Sequence, residues 1–162
     1  MALDNRVVTG ADKLKTRIST IRRNLALPAM VNEIGELLLR RVITRFDRGV
    51  TADGTSWPPL ASVTEKNKRY LGFGNKGMLR RTDEMRNSIK IIRGAVAGTT
   101  FTNTGAGLRI GIDNPAVITR ARAHNRGVPR MKIPARRFLQ VGSSDVKAVD
   151  ALMRRKGEQL IR

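Results

Sequence analysis

The chain has 162 residues, of which 40% are hydrophobic and only 4% aromatic, so its core has to be built from Leu, Ile, Val, Met and Ala. The absence of cysteine excludes disulfides and thiolate metal sites. No apolar run approaches the roughly 20 residues that span a bilayer, and the start "MALDNRVVTG" lacks a signal-peptide core, so no membrane or secretion address is expected.

Charge is the outlier in the composition. The chain carries 32 Lys and Arg against 13 Asp and Glu, a net +19. Residues 61–162 hold 22 of the basic residues and 7 of the acidic ones. Self-repulsion on this scale is best tolerated beside a polyanion or an acidic partner, and the plainer alternative is a solvated surface with no specific ligand.

Taken in chain order, Leu14, Ile18, Ile21 and Leu25 recur at helical spacing. Lys13, Lys15, Arg17, Arg22 and Arg23 occupy the other faces, with Thr9 or Asp12 placed to cap. Pro28 suits the first turn of a second helix, striped by Val31, Ile34, Leu38, Val42 and Phe46 and stopped by Gly49. The 50–77 stretch then changes character and reads as a long loop. It holds an Asp53-Gly54 turn and the lone Trp57 before Pro58-Pro59, a pair barred from helix interiors and central strands. A short helix follows Ser62, a glycine-rich loop ends at Gly77, and "LRRTDEMRNSIK" predicts another short helix with Thr82 or Asp83 near its start.

The β signal comes next. "SIKIIRGAV", "TTFTN" and "GLRIGID" are short, β-branched and separated by glycines, which predicts a meander or hairpins of two or three strands. Pro115 opens a helix running to Gly127, "ARRFLQVG" adds a further strand, and Ser143 or Ser144 caps a final helix with Val146, Val149, Met153 and Leu160 on one face. This order predicts one α+β domain over 1–162, a small antiparallel sheet packed by two N-terminal helices and a C-terminal helix. Leu14, Ile18, Ile21, Ile34, Leu38, Ile91, Ile110 and Phe138 are its expected core, and Trp57 its anchor for the 50–77 loop.

The functional question centres on "RARAHNRGVPRMKIPARRFLQV", residues 120–141, with the only histidine, seven Lys and Arg, and no acid. It reads as a nucleic-acid arm, the edge of an active site, or an assembly surface. His124 has no acidic residue between Asp113 and Asp145 to complete a metal site, and no orienting partner or nucleophile to make it a general base. Ser143, Ser144 and Thr119 lack a Gly-x-Ser-x-Gly setting, so no catalytic, metal or cofactor residue is predicted and His124 is expected at a helix end or interface. "GFGNKG" (72–77) lacks the Gly-Lys-Ser/Thr ending of a phosphate loop, and Asp83-Glu84 beside Arg80-Arg81 reads as ion pairing. Nucleic-acid binding by the arginines would be electrostatic and nonspecific, because stacking aromatics are scarce and no zinc-finger, RNP or basic-zipper pattern occurs.

Six stretches in order carry a resemblance: "RRVITRFDRG" (40–49), "DGTSWPPL" (53–60), "MLRRTDEMRNSI" (78–89), "LRIGID" (108–113), "ARAHNRG" (121–127) and "IPARRFLQVG" (133–142). Together they resemble the phage virion morphogenesis family of tail-completion or head–tail joining proteins. Asp83 and Met85 depart from that pattern, which carries Gly and Leu there, and Arg120, Arg122 and Arg126 are added charges. The resemblance implies a non-enzymatic virion protein of the neck or tail end, assembled in the host cytoplasm, without cofactor. It further implies a hexameric ring of identical subunits that meets the tail tube or tail terminator and the head-connector or neck proteins, with packaged DNA in its lumen. The candidate subunit-interface or DNA-channel residues are Trp57, Arg120, Arg122, His124, Arg126, Arg130, Lys132, Arg136 and Arg137. A nonspecific basic nucleic-acid-binding protein is the alternative.

Overall fold

A computed structural model describes residues 28–93, 100–103 and 108–161. The helix expected around Leu14–Leu25, with Leu14, Ile18 and Ile21 as core residues, lies outside the described residues. The described chain forms α1 (Pro28–Arg48), α2 (Ser62–Tyr70), α3 (Glu84–Asn87), β1 (Ile89–Arg93), β2 (Thr100–Asn103), β3 (Leu108–Ile112), α4 (Pro115–Arg126) and α5 (Ser143–Ile161). This is an α+β fold with a small antiparallel sheet.

α1 buries Met30, Ile34, Leu38, Val42 and Phe46, each four residues after the last, so one stripe faces the core along its length. The stripe begins at Met30 rather than Val31, which is only half-buried. Gly49 ends the helix at φ +66°, a conformation open to glycine at little cost. A tight turn through Asp53 and Gly54, closed by a Val50–Ser56 bridge, then returns the chain so that the Trp57 N–H donates to the Gly49 carbonyl at 2.8 Å. Trp57 lands edge-on against Phe46, with ring centroids 5.6 Å apart.

β3 is the central strand, antiparallel to both neighbours in the order β1-β3-β2. β2 and β3 make the expected hairpin, but β1 pairs with β3 instead of β2, so the sheet is not a meander. Ile89 opposes Ile112 and Ile91 opposes Ile110 on one face. Ile89, Ile110 and Ile112 are buried there, whereas Ile91 is only half-covered. α3 is a single turn, shorter than expected, because Asp83 enters it in the left-handed region (φ +57°) and β1 begins at Ile89.

The segment expected as a further strand, 135–142, is irregular and pairs with no strand among the described residues. Its N–H groups are taken from elsewhere: Arg136 donates to the His124 carbonyl, and Phe138 and Leu139 donate to the Asn125 side chain. α5 begins after Gly142, whose N–H donates to Asp145 Oδ2 at 3.0 Å, half of a capping box. The cap is therefore built from Gly142 and Asp145, not from Ser143 or Ser144. Only glycine fits at 142, since an added Cβ would stand 2.9 Å from the Ala52 carbonyl oxygen. Val149 and Leu152 bring α5 into the common core.

Candidate functional site

The basic segment is held rigidly before any of its charges reach solvent. Asn114 caps α4 by accepting from the Ala116 N–H at 3.0 Å, and Pro115 supplies the first helical position. Val117, Ala121 and Asn125 lie on one side of α4 and are buried. Asn125 Oδ1 accepts from Phe138 N at 3.0 Å and Leu139 N at 2.9 Å, so one amide stands in for a partner strand. Gly127 ends α4 at φ +77° with the Ala135 backbone so near that a Cβ would meet its nitrogen at 2.8 Å. Val128 and Ile133 then exchange N–H···O bonds of 2.8 and 3.1 Å, closing a loop that carries Arg130, Met131 and Lys132 outward.

Beyond that loop, Arg136 turns inward and is 3% exposed. Its guanidinium donates to the carbonyl oxygens of Pro58 and Pro59 at 3.1 and 3.0 Å. Burial pushes its pKa below the ordinary arginine value. Phe138 packs edge-on against Phe46 at 5.2 Å and against Trp57 at 6.2 Å. The stretches around 46, 57, 125 and 136–138 thus meet in one internal knot of three aromatic rings, an arginine and an asparagine. Beneath it the Gln140 carbonyl accepts from Arg45 at 2.9 Å. Asp145, fully buried, accepts from Arg45 at 2.5 Å and Arg41 at 2.6 Å. A buried ion cluster of this kind adds little net stability, but losing one partner would strand a buried charge.

The nine candidate residues separate accordingly. Trp57 and Arg136 are consumed inside the fold and present nothing to a surface. Arg120, Arg122, Arg126, Arg130, Lys132 and Arg137 are exposed. Arg122 and Arg126 share a helix face, being four apart, whereas Arg120 points to the other side of α4 and pairs with Glu84 at 2.9 Å. Two acids outside the segment are paired within the chain, Asp113 with Lys90 at 2.7 Å and Asp47 with Arg86 at 2.6 Å.

His124 sits half-buried in the last turn of α4, its Nδ1 enclosed without a hydrogen-bond partner. Burial, then the charges of Arg136 and Arg120, lower its pKa below the usual histidine value, so the ring is neutral at pH 7. It lines a groove of about 780 Å³ with Leu79, Met85, Arg120 and residues of α2. Among the described residues no three potential metal ligands cluster. None of their helices is long and apolar enough to cross a membrane.

Asn125, Asp145 and Gly142 do most to fix this segment, and reasoning from the sequence alone misses their roles. Gly142 followed three residues later by an acid was the one available signal, a capping pattern at a helix start. The model of the phage virion morphogenesis family matches residues 6–156. Searches among curated proteins and solved structures bring no significant match.

Proposed function

The chain belongs to the phage virion morphogenesis family, and on that premise we propose that it is a structural, non-enzymatic part of the tail end or neck. Copies of it close into a ring, most simply a hexamer, that completes the tail and joins it to the head connector. The observation that carries this reading is the division of the basic segment. Its backbone is locked by Asn125, Gly127 and Arg136, while Arg122, Arg126, Arg130, Lys132 and Arg137 are exposed. A fixed basic surface suits the wall of a passage for packaged DNA, where charge is needed and base-specific contacts are not. The partners are then further copies of the chain, tail-tube or tail-terminator proteins and head-connector proteins, with nonspecific contact to DNA.

A phage lacking this chain tests the proposal. Heads and tails that form but fail to join, with rings of the purified chain seen by electron microscopy, are the expected result. Normal infectious particles would overturn it. The exposed cations favour one second reading, a nonspecific nucleic-acid binder outside the virion. That reading requires the chain to be missing from purified particles and to bind duplex DNA with an affinity falling steeply between about 50 and 200 mM salt.

A further inference from the structure

Building on the ring reading, we propose that α2 of one copy docks into the groove between α1 and α5 of the next, making the head-to-tail contact that closes the ring.

α2 buries none of its own residues. Nine residues are too few to hold a helix by propensity in water, so α2 is fixed mainly by its flanks, where Lys68 Nζ donates to the Lys76 and Gly77 carbonyl oxygens. Four large apolar or aromatic side chains stand exposed among the described residues, and three of them belong to α2 and its end: Val63 at 67%, Tyr70 at 90% and Leu71 at 50%. Clustering of this kind marks a covered surface, unlike singly scattered apolar side chains.

The matching cavity lies elsewhere on the same chain. Glu33, Glu36 and Leu37 of α1 and Ala148, Ala151 and Leu152 of α5 line a groove of about 740 Å³, with Arg40 and Arg155 also present. It shares no residue with the groove on which α2 sits, so the two faces are distinct, as a heterologous ring contact requires. Dimensions agree: nine helical residues measure about 14 Å, and the groove wall from Glu33 to Arg40 about 11 Å. Charges agree as well. The groove holds Glu33 and Glu36 beside Arg40 and Arg155, and the helix brings Lys66, Lys68 and an internal Glu65–Arg69 pair, a net positive face. Glu33 is already paired with Lys156 of its own chain at 2.8 Å, so Glu36, which is exposed, is the groove's acid placed to meet a cation of the next copy.

The cysteine-free sequence makes the test clean. Tyr70→Cys and Ala151→Cys are each substitutions at exposed positions outside the core, and circular dichroism checks that both variants fold. A short bis-maleimide applied to the double variant, purified and within particles, is expected to link each copy to the next. Denaturing gels then show a ladder ending at the ring size, while either single variant gives no ladder. Glu36→Lys should deplete the oligomer on sizing columns and Lys66→Glu in the same chain should restore it. An oligomer on the column with only monomer on the gel overturns the α2 contact and leaves the ring standing. A chain that is monomeric on the column and within particles overturns both.

Discussion

Arg136 reaches back 78 residues to donate from Nε to the carbonyl oxygen of Pro58, 3.1 Å away, and it is buried while doing so. Two prolines offer no N–H of their own, so their carbonyl oxygens are the groups of that turn left to satisfy. Replacing Arg136 with Ala strands both oxygens and is expected to cost about 2–4 kcal/mol in urea unfolding. Arg136→Lys should recover part of that loss, since an ammonium lacks the planar fork that reaches two oxygens at once.

Trp57→Ala removes the ring that spans Phe46 and Phe138, and a loss of about 3–5 kcal/mol is expected. Trp57→Phe should fall well below that. Equal denaturation midpoints for wild type and Trp57→Ala would contradict the aromatic knot.

Asn125 is the more diagnostic position. Asn125→Ala leaves the Phe138 and Leu139 N–H groups buried without an acceptor, and about 2–4 kcal/mol should be lost. Asn125→Leu, though larger and more apolar, should be no better. Hydrogen exchange at Phe138 and Leu139 provides a local reading, with protection lost in both variants.

Asp83 occupies φ +57°, where the resembled pattern has Gly. Asp is among the few residues that tolerate this region. Asp83→Gly relieves the backbone but gives up the pairs with Lys76 and Arg80 at 2.9 and 2.7 Å, so it should lower the melting temperature slightly, whereas the β-branched Asp83→Val loses the pairs and strains the backbone as well and should lower it by several degrees more. A thermal melt of the three chains decides.

Acid should weaken the fold in two separate windows. His124 has a pKa held below 6.5, so as pH falls below that value the unfolded chain gains a proton that the folded chain resists. Stability therefore declines below about pH 6.5, and His124→Gln should flatten that part of the curve. The hydrogen bonds of Arg80, then Lys76, lower the Asp83 pKa to about 2 from 3.8, so its contribution is intact above pH 3.8 and disappears as pH falls towards 2. Denaturation midpoints measured from pH 8 to 3, with and without His124→Gln, check the first window.

α1 and α4 were legible because their signals are local: an apolar stripe at helical spacing in α1, proline in the first turn of each, and glycine at the end. The paired strands were legible as segments, but their order was not, since which strand sits centrally depends on contacts far along the chain. At 135–142 the β-like composition misled, because the acceptors for its N–H groups are the Asn125 side chain and the His124 carbonyl, which no period reveals. Arg136 and Arg137 are indistinguishable by type, yet the segment's path turns Arg136 inward with Phe138 and leaves Arg137 exposed. The Arg41–Arg45–Asp145 cluster was invisible for a related reason, joining positions 104 and 100 residues apart.

That last separation governs how the molecule is made. The closures that define it join the first third of the described chain to the last: Arg45 to Asp145, Phe46 to Phe138, Pro58 to Arg136. None can form on the ribosome until residues beyond 136 have emerged, so a nascent chain carries Phe46 and Trp57 uncovered through most of its synthesis. Contacts this distant along the chain form late and lengthen exposure to chaperones and to aggregation. The fold therefore cannot close before residues 136–145 are available, and a chain shortened ahead of them would lose its aromatic knot along with its last helix.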